Sequence, residues 1–287
     1  MPQDEFLVQP RYLASAGDIS RVLQPLIQVH GWPHENNPGA NRVAATSPCS
    51  RIEVLAEHQI FHLWKISVRA RPGDAQPLWQ ATFSKETPAE IVGSLTQALA
   101  ADRFVAPQEI VAEWPGHPDA AWRPLLKAGW TPSDRTAAHF GDGDGGTVSV
   151  DVPGAAGANV TVVDGIRLTS PDGKASLVHT PKPDHLFSSG LVGHWTIDAA
   201  FGPTWDDQWT AVLTAATPMR YMNMLTSAVA DPTPVVRTSA QISAATRAAA
   251  SVRPAPPPRT TNPLRSFEAE QAAFNPRHPN QGHPLRR

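Results

Sequence analysis

Eleven histidines and one cysteine are the side chains of this chain best suited to metal or nucleophilic chemistry, and their spacing argues against both. No His-x-His, no His-Glu-x-x-His and no close His–Cys pair occurs, so the usual metal-site spacings are missing. Cys49 stands alone, which excludes an intramolecular disulfide, a cysteine zinc site and an iron–sulfur cluster. Arg51 nearby would favour its thiolate. The matching residue of the repeat described below is Asp172, which speaks against a shared nucleophile. The run Gly-Asp-Gly-Asp-Gly-Gly at 141–146 lacks the Lys-Ser/Thr of a phosphate loop and the strand–helix setting of a dinucleotide fingerprint. Asp206 and Asp207 are adjacent and point apart. The expectation is a protein without catalytic residues, metal or cofactor.

Basic residues on strands offer a different chemistry, attraction of phosphate. Arg51, Lys65 and Arg69 fall on one face of the expected first sheet, among Ser67, Gln80, Thr82 and Ser84, and Lys174 lies at the matching place in the second. Such a polar, mildly basic surface suits phosphate contacts. Stacking aromatics, which single-strand binders use heavily, are absent there.

Those faces depend on an internal repeat. Leu63-Trp64-Lys65-Ile66-Ser67-Val68 matches His194-Trp195-Thr196-Ile197-Asp198-Ala199, and Trp79-Gln80-Ala81-Thr82-Phe83 matches Trp209-Thr210-Ala211-Val212-Leu213. Thr87-Pro88 maps onto Thr217-Pro218, Thr46-Ser47-Pro48 onto Thr169-Ser170-Pro171, and Pro25-Leu26 with Gly31-Trp32 onto Pro124-Leu125 with Gly129-Trp130. The order is conserved between copies and only the spacers differ, which gives two modules at 19–101 and 120–231. An extended segment at 1–18 precedes them, a linker at 102–119 separates them, and a Gly-rich insertion occupies 141–158.

Each module reads as a short helix, about four antiparallel strands and a closing helix, an α+β fold. The first helices run over 19–30 and 119–128, each with an internal proline and a glycine stop. Ser-Pro-Cys-Ser and Ser-Pro-Asp-Gly between apolar runs mark hairpins. Alternation turns Trp64, Ile66, Val68, Trp79, Ala81 and Phe83 toward the closing helix. That helix carries the stripe Ile91, Leu95, Leu99 in one copy and Tyr221, Leu225, Val229 in the other. Thr87 and Glu90 are placed to form a capping box.

The pattern Trp…Ser-Pro…Trp-x-Ile…Trp-x-Ala…Thr-Pro resembles the SPDY family, a domain of unknown function found in Streptomyces and related actinobacteria, and covers both copies. The signature reads Ser47-Pro48-Cys49-Ser50 and Ser170-Pro171-Asp172-Gly173 here, without its tyrosine. The resemblance implies no known chemistry. The element order, with two units about a pseudo-twofold, is also similar to the Whirly and PUR-type folds that hold single strands on open sheets; fold alone does not give function.

Charge is divided unevenly. Residues 232–287 hold eight Arg, no Lys and two acids, which leaves the first 231 residues with 16 basic and 24 acidic groups. That stretch is rich in Pro, Ala and Arg and reads as a disordered tail with a short helix at 239–250. Arg253 and Arg259 flank its Pro-Ala-Pro-Pro-Pro run, which would either attract nucleic acid or serve as a polyproline II ligand for a protein partner. Asp4 and Glu5 stand where a secretory leader would be basic, and no apolar run reaches membrane-spanning length, so a cytoplasmic protein without membrane contact is expected. Two readings remain open: single-stranded nucleic-acid binding through the first sheet and tail, and a protein-interaction scaffold.

Overall fold

The computed structural model describes residues 4–57, 63–102, 119–132, 148–151, 159–162, 166–179 and 193–256. Strand β1 (Glu5–Gln9) comes first, followed by α1 (Ser20–Gln24), β2 (His34–Asn37), β3 (Arg42–Thr46), β4 (Ile52–Glu57), β5 (Trp64–Val68), β6 (Trp79–Phe83) and α2 (Ala89–Asp102). The second module holds α3 (Asp119–Lys127), β7 (Thr131–Pro132), β8 (Val148–Asp151), β9 (Asn159–Val162), β10 (Ile166–Thr169), β11 (Ala175–His179), β12 (Gly193–Ala200), β13 (Gln208–Thr214) and α4 (Met219–Ala230). Strand β14 (Val235–Thr238), α5 (Ala244–Ala249) and β15 (Ser251–Pro254) complete the described chain. The class is α+β, with antiparallel sheets.

Both modules contribute to one ten-stranded sheet, in the order β2-β3-β4-β5-β6-β13-β12-β11-β10-β7. Each contributes five strands to it rather than about four. The extra strand of the first is β2, His-Glu-Asn-Asn, an exposed edge with no apolar side chain to betray it. Strands β6 and β13 pair antiparallel with Thr82 opposite Val212, Ala81 opposite Leu213 and Phe83 opposite Ala211. Thr82 and Val212 are also equivalent in the repeat, so the pseudo-twofold axis passes through this pair. The seam is closed alike at both ends. The Thr210 amide donates to Ser84 Oγ (2.9 Å), and the Gln80 amide donates to Thr214 Oγ1 (3.0 Å).

The four longer helical segments among the described residues share one face of the sheet. Trp64, Ile66, Trp79, Phe83, Trp195 and Trp209 are buried in a single core with Val22, Leu95, Leu125 and Leu225, so the tryptophans point inward as alternation requires. Pro25 has no amide hydrogen to continue α1, and the helix widens there into a π turn over Pro25–Val29. Gly31 and Gly129 end the two first helices with φ +63° and +84°.

The capping box at α2 does not form. The helix begins after Pro88, whose carbonyl accepts from Ile91, and Glu90 turns instead to Arg237. Residues 232–256, which composition assigned to a disordered tail, are folded: β14 and β15 flank β1 in a three-stranded antiparallel sheet. Strand β1 carries its own hydrophobic contacts, with Val8 buried against Val235 and Ile242. Arg237 locks this sheet to the first module. Its side chain is 1% exposed, Nη1 and Nη2 donate to the two Glu90 carboxylate oxygens (2.8 and 2.6 Å), and Nε donates to the Ser15 carbonyl (2.9 Å). Gly17 (φ +76°) lies under the guanidinium, where a Cβ would come within 2.7 Å of Cζ. From the Gly-rich insertion, β8 pairs with β9, which follows it; the insertion's other residues lie outside the described ones.

The Ser-Pro signature is a hairpin clamp. Ser47 Oγ accepts from the Ile52 amide (3.0 Å) and Ser170 Oγ from the Ala175 amide (2.9 Å), and both serines are buried. Ser170→Ala strands a buried amide and is expected to cost about 1–3 kcal/mol in a urea titration. The fourth signature position is left-handed in both copies, at Gly173 (φ +70°) and Ser50 (φ +55°). A left-handed non-glycine residue costs roughly 1–2 kcal/mol, of which glycine's greater unfolded-state freedom returns about 0.5–1 kcal/mol. Ser50→Gly should therefore raise stability by up to about 1 kcal/mol, read as a higher unfolding midpoint.

Candidate binding face

Strand alternation sends Lys65, Ser67, Gln80 and Thr82 to the side of the sheet opposite the helices, together with Thr196, Asp198, Thr210, Val212 and Thr214 from the second module. At roughly 4.8 Å per strand, ten strands make a surface on the order of 43 Å across. Lys65 is exposed at mid-strand on β5, and no ion pair or hydrogen bond of the described residues involves its side chain. Ser67, Gln80 and Thr82 are buried rather than open to solvent, and the Thr82 hydroxyl, on the pseudo-twofold, has no hydrogen-bond partner.

The other basic residues singled out from the sequence have prior engagements. Arg69 Nη2 donates to Glu53 Oε2 at 2.9 Å and its Nε to the Asp74 carbonyl at 3.1 Å. Arg51 Nε donates to the Arg69 carbonyl at 3.3 Å. These two residues and Lys65 thus share one region, with Arg42 joining at 3.6 Å from Glu53. Sequence reasoning missed Arg42 and the Glu53 between the arginines. The register Glu53 opposite Ser67 creates this cluster, and adjacency along the chain carries no trace of it.

Lys174 does not extend the surface. It follows the signature turn, and its Nζ donates to the Ala249 carbonyl (2.6 Å) at the end of α5, so it holds the C-terminal segment in place. The side chain that the sequence assigned to the second module's phosphate face is thus engaged by the C-terminal segment. On that face Asp198 accepts from Ser176 (2.7 Å) and Arg167 is exposed. Arg253 is exposed on β15, within the folded three-stranded sheet rather than in a tail; Arg259 lies outside the described residues.

Electrostatic perturbation concentrates away from this face. Burial would raise the Glu90 carboxyl, but hydrogen bonds and charge from Arg237, with the charge of Arg21, outweigh it and hold the group below its ordinary value. Burial, then the charge of Asp172, pushes the Tyr12 phenol far up, in keeping with a structural hydroxyl packed at the signature turn. Among the described residues no three His, Cys, Asp or Glu side chains gather as metal ligands, and no helix is long and apolar enough to cross a membrane.

Searches among curated proteins and among solved structures each returned no significant match. A family model does match, at residues 46–104 and again at 169–235. Each match begins at the Ser-Pro hairpin and runs through the central strands and the closing helix, so the two fall on equivalent halves of the ten-stranded sheet. The chain carries the SPDY domain, a domain of unknown function (DUF317), twice in tandem.

Proposed function

We propose that the chain is a non-enzymatic binding protein that holds single-stranded nucleic acid on the face of its ten-stranded sheet opposite the described helices. One observation supports this above the others: the four longer described helical segments pack on one side, and the opposite side carries the exposed Lys65 with the partly exposed hydroxyls of Thr196, Thr210 and Thr214. An extended phosphodiester would lie across the strands, with Lys65, Arg51 and Arg42 near the phosphates and Thr196 and Thr210 as donors. A second reading has its own support. Glu53 partly neutralises the arginines and Asp198 adds negative charge, and a face of mixed sign also suits a protein partner.

A salt titration of the full chain with a labelled oligothymidine, with a duplex as control, separates the two. Nucleic-acid binding predicts affinity falling steeply with salt and weakened about tenfold by Lys65→Glu. Arg69→Glu is the poorer variant because it sets a second carboxylate against Glu53. Full affinity in Lys65→Glu, lost on Arg253→Ser/Arg259→Ser, would move the contact to the C-terminal arginines. Absence of binding at low salt would sink the proposal, and a partner or defined oligomer retained at high salt would favour the second reading.

A further inference from the structure

The two modules serve as controls for each other on the helix side of the sheet. Ala56 is paired with Trp64 and Val43. His179 holds the same position in the second module, paired with Trp195 and Ile166. Leu23, two residues before Pro25, corresponds to Trp122, two before Pro124. In the second module this ground is filled by aromatic rings: His179 stacks on Trp195 at 3.9 Å and Trp122 lies 6.1 Å from His179. Its counterpart in the first module has only Ala56 and Leu23, and a cleft of about 500 Å³ opens beside Ala56.

The cleft is amphipathic. Val43, Ala56 and Leu63 form an apolar floor continuous with the core, and Ile19, left 46% exposed, overhangs it. Lys85 borders the mouth together with Asn36 and Asn41. It is held at 2.6 Å by Asp206, whose own side chain is 75% exposed, and lies 3.9 Å from Glu86. Solvent-exposed pairs of this kind are weak, so an incoming anion can share Lys85 at little cost.

We propose that the first module binds a small organic anion in this cleft, its apolar body on Val43, Ala56 and Leu63 and its carboxylate or sulfonate at Lys85. The volume lies in the range of small-molecule sites, where an apolar wall and a few polar groups are the usual combination. The second module gave up the corresponding space to His179 and Trp122. The two copies are thereby specialised, one for ligand and one for structure, and the site is separate from the open face proposed for nucleic acid.

Titration of the full chain with 1-anilinonaphthalene-8-sulfonate tests this, alongside N-phenyl-1-naphthylamine, which has the same body without the charge. The expected result is one saturable site for the sulfonate and binding at least tenfold weaker for the neutral dye. Ala56→Leu, which plugs the floor, and Lys85→Met, which removes surface charge without touching the core, should each weaken the sulfonate at least fivefold. Lys65→Glu should leave it unchanged. Displacement by decanoate or by 1-naphthoate supports the site and distinguishes an alkyl from an aryl body. Equal binding of the two dyes, indifference to both Ala56→Leu and Lys85→Met, or displacement by neither acid overturns the proposal.

Discussion

Arg237→Met is expected to cost about 3–5 kcal/mol at neutral pH, measured as the shift in urea unfolding free energy. The guanidinium is buried and satisfies both Glu90 oxygens and the Ser15 carbonyl, so its removal leaves a mostly buried carboxylate with only Arg21 at 3.2 Å. That residual neighbour is half exposed and screened by solvent. Acid should narrow the difference. In the native protein the Glu90 pKa lies below its ordinary value. Its contribution is therefore complete above the unfolded-state value, roughly 4.3, and is lost as pH falls through the depressed folded-state value. In Arg237→Met the burial that Arg237 no longer offsets raises the carboxyl, and protonation relieves the penalty. The cost should thus shrink between pH 7 and pH 4, and Arg237→Met/Glu90→Gln should recover part of it at pH 7. A cost below about 1 kcal/mol, or one independent of pH, would show that Arg237 is not the lock between the modules and the three-stranded sheet.

Ending the chain after Asp231 should be more damaging still. Strand β1 would lose both neighbours, since it pairs with β14 on one side and β15 on the other. Glu90 would lose Arg237, for the 3–5 kcal/mol just given as an estimate of about that size. Val235 and Ile242, both buried, add roughly 1.5–3 kcal/mol each. The sum is comparable with the entire stability of an ordinary domain, about 5–15 kcal/mol. The expected result is a product that melts at least 10 °C lower and is cleaved by protease within residues 5–17, where the intact chain resists. An unchanged melting temperature would overturn this account. The prediction bears on how the protein should be cut: the second family match ends at residue 235, two residues short of Arg237.

The parts of the fold that were legible in the sequence are those governed by local rules. Alternating tryptophans placed the inner sheet face, Asp-Gly and the Ser-Pro signature placed the hairpins, and the i, i+4, i+8 stripes placed the closing helices. What escaped depends on partners distant in sequence. Strand β2 is an edge with no buried side chain, so its periodicity is silent. Strands β14 and β15 lie in a Pro-, Ala- and Arg-rich stretch whose composition resembles a solvated tail, yet they gain order by pairing with a strand more than 220 residues away. Arg237 read as one more tail cation because its carboxylate is 147 residues upstream. At the candidate face, Lys65 was legible from alternation, whereas the Glu53 that ties up Arg69 came from strand register. The Lys174 contact with Ala249 required knowing where α5 docks.

The seam at Thr82 and Val212 bears on how such a domain can exist at all. All five residues of β6 are buried here, and its backbone edge is covered by β13. A protein with a single copy would present this strand as a bare, largely apolar edge, the kind that invites misdirected pairing. It would have to find a second chain, and its folding would then follow protein concentration by mass action. Joining two copies in one polypeptide replaces that bimolecular encounter with an intramolecular one. The shared sheet then assembles equally well from a rare protein and an abundant one, and each copy is free to drift in sequence as long as the seam still matches.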